Sequence, residues 1–487
     1  MITARVSLDS LTLSECRKRL LSRQLTSVEL LEAIFERLEA TEPFVHAYVL
    51  VDQKKALDSA HQSDTERIAG NVRGVLHGLP VSVKDMFRVN GMLTRAGSQT
   101  YQDNYPGRTS PTVLQCQTAG AIIIGKLETH EFALGQNVPP TRNAWNFEHY
   151  PGGSSAGAGV AVAVGSALAA LGTDSAGSVR KPAALNGVVG FKPSYGSIDN
   201  SGVIPLSPSL DHVGMLTRTV ADSKLLFQVV GSQTTGDDDT PRGSASQGVA
   251  GLRLGICDYF IDEAHTAGAV RQVFDAAVDV LREGGAEVVS FDLPALSHAV
   301  ATGLLVMSSE AAVVHATRLR SCPELYTTPT RVLLEAASLL PASLIGRAYQ
   351  VRELIRRNVL DSFSGLRLDA LIAPTCGRTS MRLIDMVPET DLAEYIHNTV
   401  VANLTGRPAI TLPAGLTADG LPVGLQVTGR ANADRELLRI AEVVETAMSR
   451  GYECPPHGWD RDRTNAGSAG ETRATHEPPV DGARNVP

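Results

Sequence analysis

Hydrophobic and polar positions along this chain repeat with two different periods, and the switches between them outline an α/β protein. In TSVELLEAIFERLEATEP, residues 26–43, Leu31, Ile34, Phe35 and Leu38 recur at helical spacing. Thr26 followed by Glu29 has the form of a capping box, so the segment predicts an amphipathic helix docked on a core. LPVSVKDMF has a period of two, with Val81 and Val83 on one face of a strand and Ser82 and Lys84 on the other. GAIIIGKLE, around Ile122 to Ile124, predicts a buried strand. The alternation resumes at GLRLGICDYF, continues through GAVRQVFDAAVDVLREGGAEVVSF, and returns in DALIAPT near Leu371. Together these segments predict an α/β fold with a single large mixed β-sheet covered by helices on both sides.

One stretch fits neither period. PGGSSAG, from Pro151 to Gly157, and TDSAGS, from Thr173 to Ser178, are serine-bearing turns of small residues joined by the nearly all-apolar run 156–171. A flexible linker has no use for that middle. Its small side chains let a helix and a returning strand pack close to neighbouring backbone. The 24 residues from Ser154 to Ser178 are enough to bring both turns together. Converging N–H groups at such turns form an anion nest, and a serine within one lies beside donors suited to a tetrahedral oxyanion.

Composition narrows the classes. The chain has 487 residues, 43% hydrophobic and 20% charged, with ample length for a large core. A net charge of -8 argues against a protein built to neutralise nucleic-acid phosphates or coat an anionic membrane, and points to a small-molecule partner. The six cysteines form no C-x-x-C pair, so reduced thiols and a cytoplasmic location are expected. No secretory leader and no membrane span are expected. The polar segment 231–248 is the best internal boundary, and the Gly- and Pro-rich end from Arg463 predicts a disordered tail.

A serine nucleophile needs a base. None of the twelve histidines lies in a metal-binding H-E-x-x-H pattern, and His77 and His130 read as structural. Lys84 follows an apolar strand, and desolvation lowers a lysine towards a usable base, although a lysine by itself is ordinarily a solvated surface charge. Gly120 to Lys126 has P-loop spacing, but Leu127 stands where a hydroxyl would hold magnesium.

GLPVSVKDMF, the block PGGSSAGAGVAVAVGSALAALGTDSAGSVRKPAALNGVVGFKPSYG and the late NLTGRPAITLPAGLTADGLPVGLQVTGR together resemble the amidase signature family of serine hydrolases. The resemblance runs from the N-terminal helix to about Met448. It implies one domain over 1–462, with N-terminal helices, a catalytic core at about 70–230 and a second αβ lobe at about 250–450, leaving the tail 463–487.

The resemblance further implies a Ser–cis-Ser–Lys triad of Ser178 as nucleophile, Ser154 as bridging serine and Lys84 as neutral base. Ser175, Ala176, Gly177 and Ser178 match its oxyanion loop, and Asp174, Arg180 and Ser155 match its supporting residues. The chain departs from the family by Ala176-Gly177 before the nucleophile in place of two glycines, and by Ser155-Ala156-Gly157 in place of a serine and two glycines; an added methyl group narrows the approach to the oxyanion. No cofactor and no metal are implied. The partner expected is a small amide substrate, with esters and carbamates chemically similar, and a homodimer is allowed.

A glutaminase subunit of a tRNA-dependent amidotransferase is the alternative within the family, although GQNVPPTRNAWN departs from the GSSTENS-like segment expected there. Tyr101, Trp145 and Tyr395 are aromatic candidates for the substrate pocket.

Overall fold

In the computed structural model, residues 7–135, 138–232, 248–386, 395–448 and 453–456 are described. The predicted tail lies outside them, as does most of the boundary segment 231–248. The capping box at Thr26 forms: its hydroxyl accepts from the Glu29 amide, the Glu29 carboxylate accepts from the Thr26 amide, and the helix runs over Ser27–Val45. Leu30, Leu31, Ile34 and Phe35 are its buried apolar face. Leu38 is only half-buried, and the neighbouring Arg37 is buried instead, donating to the Val164 carbonyl at 2.9 Å.

Among the described residues one sheet contains eleven strands: β1 Tyr48–Val51, β2 Pro80–Lys84, β3 Ile122–Leu127, β4 Ala169–Asp174, β5 Val189–Lys192, β6 His212–Thr217, β7 Arg253–Cys257, β8 Glu287–Phe291, β9 Ala370–Pro374, β10 Ala409–Leu416 and β11 Pro422–Thr428. Their order is β1-β3-β2-β4-β6-β5-β10-β11-β9-β7-β8. The sheet is mixed. β2 runs parallel to β3 and β4, and β7 parallel to β8 and β9, with antiparallel pairs between these groups. The pairing of β5 with β10 carries the sheet without a break from the first half of the chain into the second.

Alternate residues on β4 show how the two faces are filled. Ala169 and Leu171 pack with Leu226 and Phe227 of the helix Val220–Val230, whereas Ala170 packs with Ala158 and Val162 of the helix Ala156–Val164. The latter is the run of small residues between the two serine turns, and it sits against backbone. A Cβ on Gly157 would meet the Ala47 carbonyl oxygen at 2.2 Å. The prediction of a helix followed by a returning strand therefore matches the fold.

The strand predicted at LPVSVKDMF forms, but its alternation does not separate core from solvent, because all five residues of β2 are buried. Ser82 and Lys84 face a sealed polar interior. One helix bears on the expectation that no segment resembles a membrane span. Within the helical stretch Pro294–Ser321 an 18-residue segment is long and apolar enough by composition, with a mean hydropathy of 1.4. Half of it is buried against its neighbours, as in a core helix. The six cysteines are thiols, not disulfides.

Candidate active site

Parallel pairing of β2 with β4 sets Lys84, the last residue of β2, beside Thr173, the penultimate residue of β4. Lys84 is fully buried, and its ammonium nitrogen lies 2.9 Å from Ser154 Oγ and 2.7 Å from Thr173 Oγ1. Burial pushes its pKa down to about 7; Asp174 and Asp211 pull upward, and Lys181 adds to the depression. Neither carboxylate pairs with it, because each is bound elsewhere. Near neutral pH a substantial share of Lys84 is therefore uncharged, with the Ser154 hydroxyl in hydrogen-bonding reach.

The two serine turns meet, as their spacing predicted. The Gly153–Ser154 peptide is cis. The Ser155 amide donates to the Ser178 carbonyl at 3.1 Å, and the Ser155 hydroxyl donates to the Thr173 carbonyl at 3.2 Å, tying the first turn to the second and to the end of β4. His130 packs on the other side of the first turn. It is buried, held neutral by desolvation with its pKa pushed down to about 3, and its Nε2 lies 3.2 Å from the Tyr150 hydroxyl. A Cβ on Gly153 would meet the His130 ring at 1.9 Å, so the imidazole shapes the turn. His77 is structural too, its Nε2 lying 2.9 Å from the Ser63 carbonyl oxygen.

The loop carrying Ser178 is braced from beneath by a fully buried pair, Asp174 and Arg180, 2.9 Å apart. Burial alone would raise the Asp174 carboxyl. The Arg180 guanidinium, with Lys192 and Asn403, instead holds it well below the usual carboxylate range. Arg180 also donates to the Thr399 carbonyl, Gln426 Oε1 and Asn403 Oδ1, at 2.9, 2.7 and 2.6 Å. Thr399 completes the brace by donating to the Ala176 carbonyl at 2.7 Å. A buried charge pair is tolerated where its remaining donors and acceptors are satisfied in this way.

One residue of the predicted oxyanion loop has a different job. The Gly177 amide donates to Asp174 Oδ1 at 2.7 Å, because the residue's φ of +114° turns its N–H beneath the loop. The Val179 amide likewise goes to Asp174 Oδ2. The Ala176 and Ser178 amides have no acceptor among the described residues. Ser175 directs its hydroxyl to Asp211 Oδ1 at 2.6 Å.

Above the loop is a narrow cleft with about 20 Å³ of accessible space, lined by Ser154, Ser178 and Ala176 together with Tyr150, Lys181, Met307 and Ile396 among others. Of the three aromatic candidates, Tyr395 comes near it, its ring 5.7 Å from that of Tyr150. Tyr101 instead stacks under Arg318, and Trp145 donates to the Asn186 carbonyl beside a separate pocket. The P-loop spacing at 120–126 falls largely on strand β3, whose Lys126 is ion-paired with Asp85 at 2.8 Å. Thr173, Thr399, Asn403, Gln426 and Lys181 also belong to the site, and no periodic signal in the sequence marks them.

The sequence model of the Amidase family matches residues 29–438. The chain belongs to the amidase family. An amidase of Pseudomonas putida is 38% identical over 464 residues, covering 91% of this chain and 97% of that protein. A glutamyl-tRNA(Gln) amidotransferase subunit from a Roseiflexus species is 35% identical, covering 90% and 96%. A crystal structure of an amidase superposes with a TM-score of 0.82 at 34% identity, covering 90% of this chain and 99% of the other. As an amidase-family member, this chain has the single mixed sheet and helical layers found in that structural neighbour.

Proposed function

We propose that this amidase-family chain, an amide-hydrolysing enzyme, cleaves a carboxylic amide to acid plus ammonia or amine through an acyl-enzyme on Ser178. The observation that carries the reading is the 2.9 Å contact between a buried, carboxylate-free Lys84 and Ser154 Oγ. Neutral Lys84 takes the Ser154 hydroxyl proton as Ser154 takes that of Ser178, and the Ser178 oxygen attacks the amide carbonyl. The amides of Ala176 and Ser178 are the donors left to hold the oxyanion, while Asp174 and Arg180 fix the loop that presents them. The relay returns a proton to the departing nitrogen, since an amine anion is too poor a leaving group. Water then repeats the sequence, attacking the ester and releasing the acid.

Replacing Ser178 with alanine is expected to abolish turnover while leaving the circular dichroism spectrum and Tm near those of the parent. Activity retained in that variant would end the acyl-enzyme assignment. A second reading has support from the 35% identity to an amidotransferase component: release of ammonia from glutamine for a partner protein. Glutamine hydrolysis that requires added partner subunits would favour it. Hydrolysis of simple amides by the isolated chain favours the free-standing amidase.

A further inference from the structure

A lysine in the cleft remains without a role in the relay. Lys181, three residues after Ser178, is 5% exposed and lines the same cleft. Among the described residues its ammonium has no hydrogen-bond acceptor and no carboxylate within ion-pairing distance. The contrast with the other buried cations is sharp. Arg180 is saturated by Asp174, Thr399, Gln426 and Asn403, and Lys192 donates to two backbone carbonyls.

A buried cation without a partner is costly unless something arrives to complete it. The rest of the cleft shows what that something would be. Its described lining holds no acidic side chain, and Lys181 is its one charged group. The surroundings are otherwise apolar or hydroxyl-bearing: Ala133, Leu134, Tyr150, Leu206, Met307 and Ile396.

We infer that Lys181 is a specificity residue for the proposed reaction, pairing with a carboxylate carried on the substrate a few bonds from the scissile amide. This inference rests on the amidase reading for the identity of the cleft. It goes further by naming the substrate class: monoamides bearing an anionic group. A carboxylate entering the cleft would give the ammonium its missing charge-assisted partner, while a neutral alkyl group would leave it unpaired.

The charge on Lys181 is itself poised. Burial lowers its pKa to about 8, with Cys376 and Asp174 pulling upward and Arg180 adding to the depression. Lys84 and His130 feel its charge from the other side, and Tyr150, with Tyr395 and Cys376 beside it, completes the ionisable surroundings. The ammonium form therefore predominates at neutral pH and is lost above about pH 8.

The test compares kcat/KM for succinamate with that for 4-methylpentanamide, which has a branched alkyl group in place of the carboxylate. The wild-type enzyme should favour succinamate, and the preference should fall as pH rises through about 8. Lys181→Met should reduce the succinamate to 4-methylpentanamide ratio by about tenfold or more. An unchanged ratio in Lys181→Met, or a wild-type preference for the neutral amide, would overturn the assignment. The pH dependence of the wild-type ratio provides the same decision should the variant fold poorly.

A binding arm separates this inference from the reaction on which it rests. Succinate binding is measured by calorimetry on Ser178→Ala and on Ser178→Ala/Lys181→Met. Absence of turnover on every amide would count against the acyl-enzyme reading. In that case weaker succinate binding in the double variant would still support the anion site, and equal binding would overturn it.

Discussion

Two buried lysines lie at or next to the ends of neighbouring parallel strands, and they have opposite surroundings. Lys84 closes β2, and Lys126 lies one residue before the end of β3, with Val83 and Lys84 in register with Lys126 and Leu127. Both side chains are sealed from solvent. Lys126 pairs with Asp85 at 2.8 Å and donates to the Phe87 carbonyl and Thr94 Oγ1, while Asp85 accepts from the Arg95 and Ala96 amides. Burial pushes Lys126 down and Asp85 up, and the attraction between them opposes both shifts. Lys84 has only hydroxyls for partners. Burial is common to both, so the partner decides which lysine is a structural cation and which is available to move a proton.

The sharpest way to break this comparison is to remove each lysine in turn. Under the proposed relay, Lys84→Met should lower kcat by about 10²–10⁴-fold, as expected for loss of a positioned general base. Wild-type activity should rise with pH through about 7, the pKa to which burial brings Lys84, because only the neutral amine accepts a proton. Stability should follow the same group. Between about pH 7 and the ordinary value of 10.5 the unfolded chain holds a proton that the native chain does not. The lysine's contribution to stability therefore rises with pH in that window, and Lys84→Met should remove that slope from a series of Tm measurements. Undiminished turnover in Lys84→Met would remove the base from the scheme.

Lys126→Met should do the reverse and report mainly in stability. It leaves Asp85 buried without its cation, at a cost of about 3–5 kcal/mol in urea unfolding. Combining it with Asp85→Asn should recover part of that loss. A Lys126→Met protein as stable as the parent would mean that the pair is held neutral in the native state, and the distinction between the two lysines would weaken.

The same contrast explains which parts of the site were legible in the sequence. Lys84 lies on a strand with a period of two, and the two serine turns are marked by runs of small residues, so their approach follows from 24 residues of local chain. The sheet class was legible for a similar reason: strands β2, β3, β7, β8 and β9 each carry a compact apolar pattern. The bracing of the Ser178 loop is of another kind. Arg180 reaches Thr399, Asn403 and Gln426 across 219 to 246 residues of sequence, and those contacts exist only once the pairing of β5 with β10 has closed the two halves into one sheet. Isolated polar residues that become buried by such closure leave no periodic trace. Gly177 shows the limit within a motif, because residue types identify a turn rich in amides without revealing that one amide points inward to Asp174.

The smallest expected effect comes from the residues just before Ser178, where the chain carries Ala176. Ala176 is buried among Met86, Leu206, Met307 and Ile396, lines the cleft, and holds Thr399 through its carbonyl. Its methyl group therefore adds packing while occupying space that a substrate would otherwise enter. Ala176→Gly should cost about 1 kcal/mol of stability, from the lost methyl contacts and the looser unfolded chain, and should lower KM for amides with bulky acyl groups more than for small ones. Gly177→Ala next door is not the mirror image, since its Cβ would meet Thr399 Oγ1 at 2.3 Å at a positive φ and force the brace itself to move. If Ala176→Gly leaves the bulky-to-small substrate ratio untouched, the methyl group is a packing element of the loop and the width of the cleft is set elsewhere.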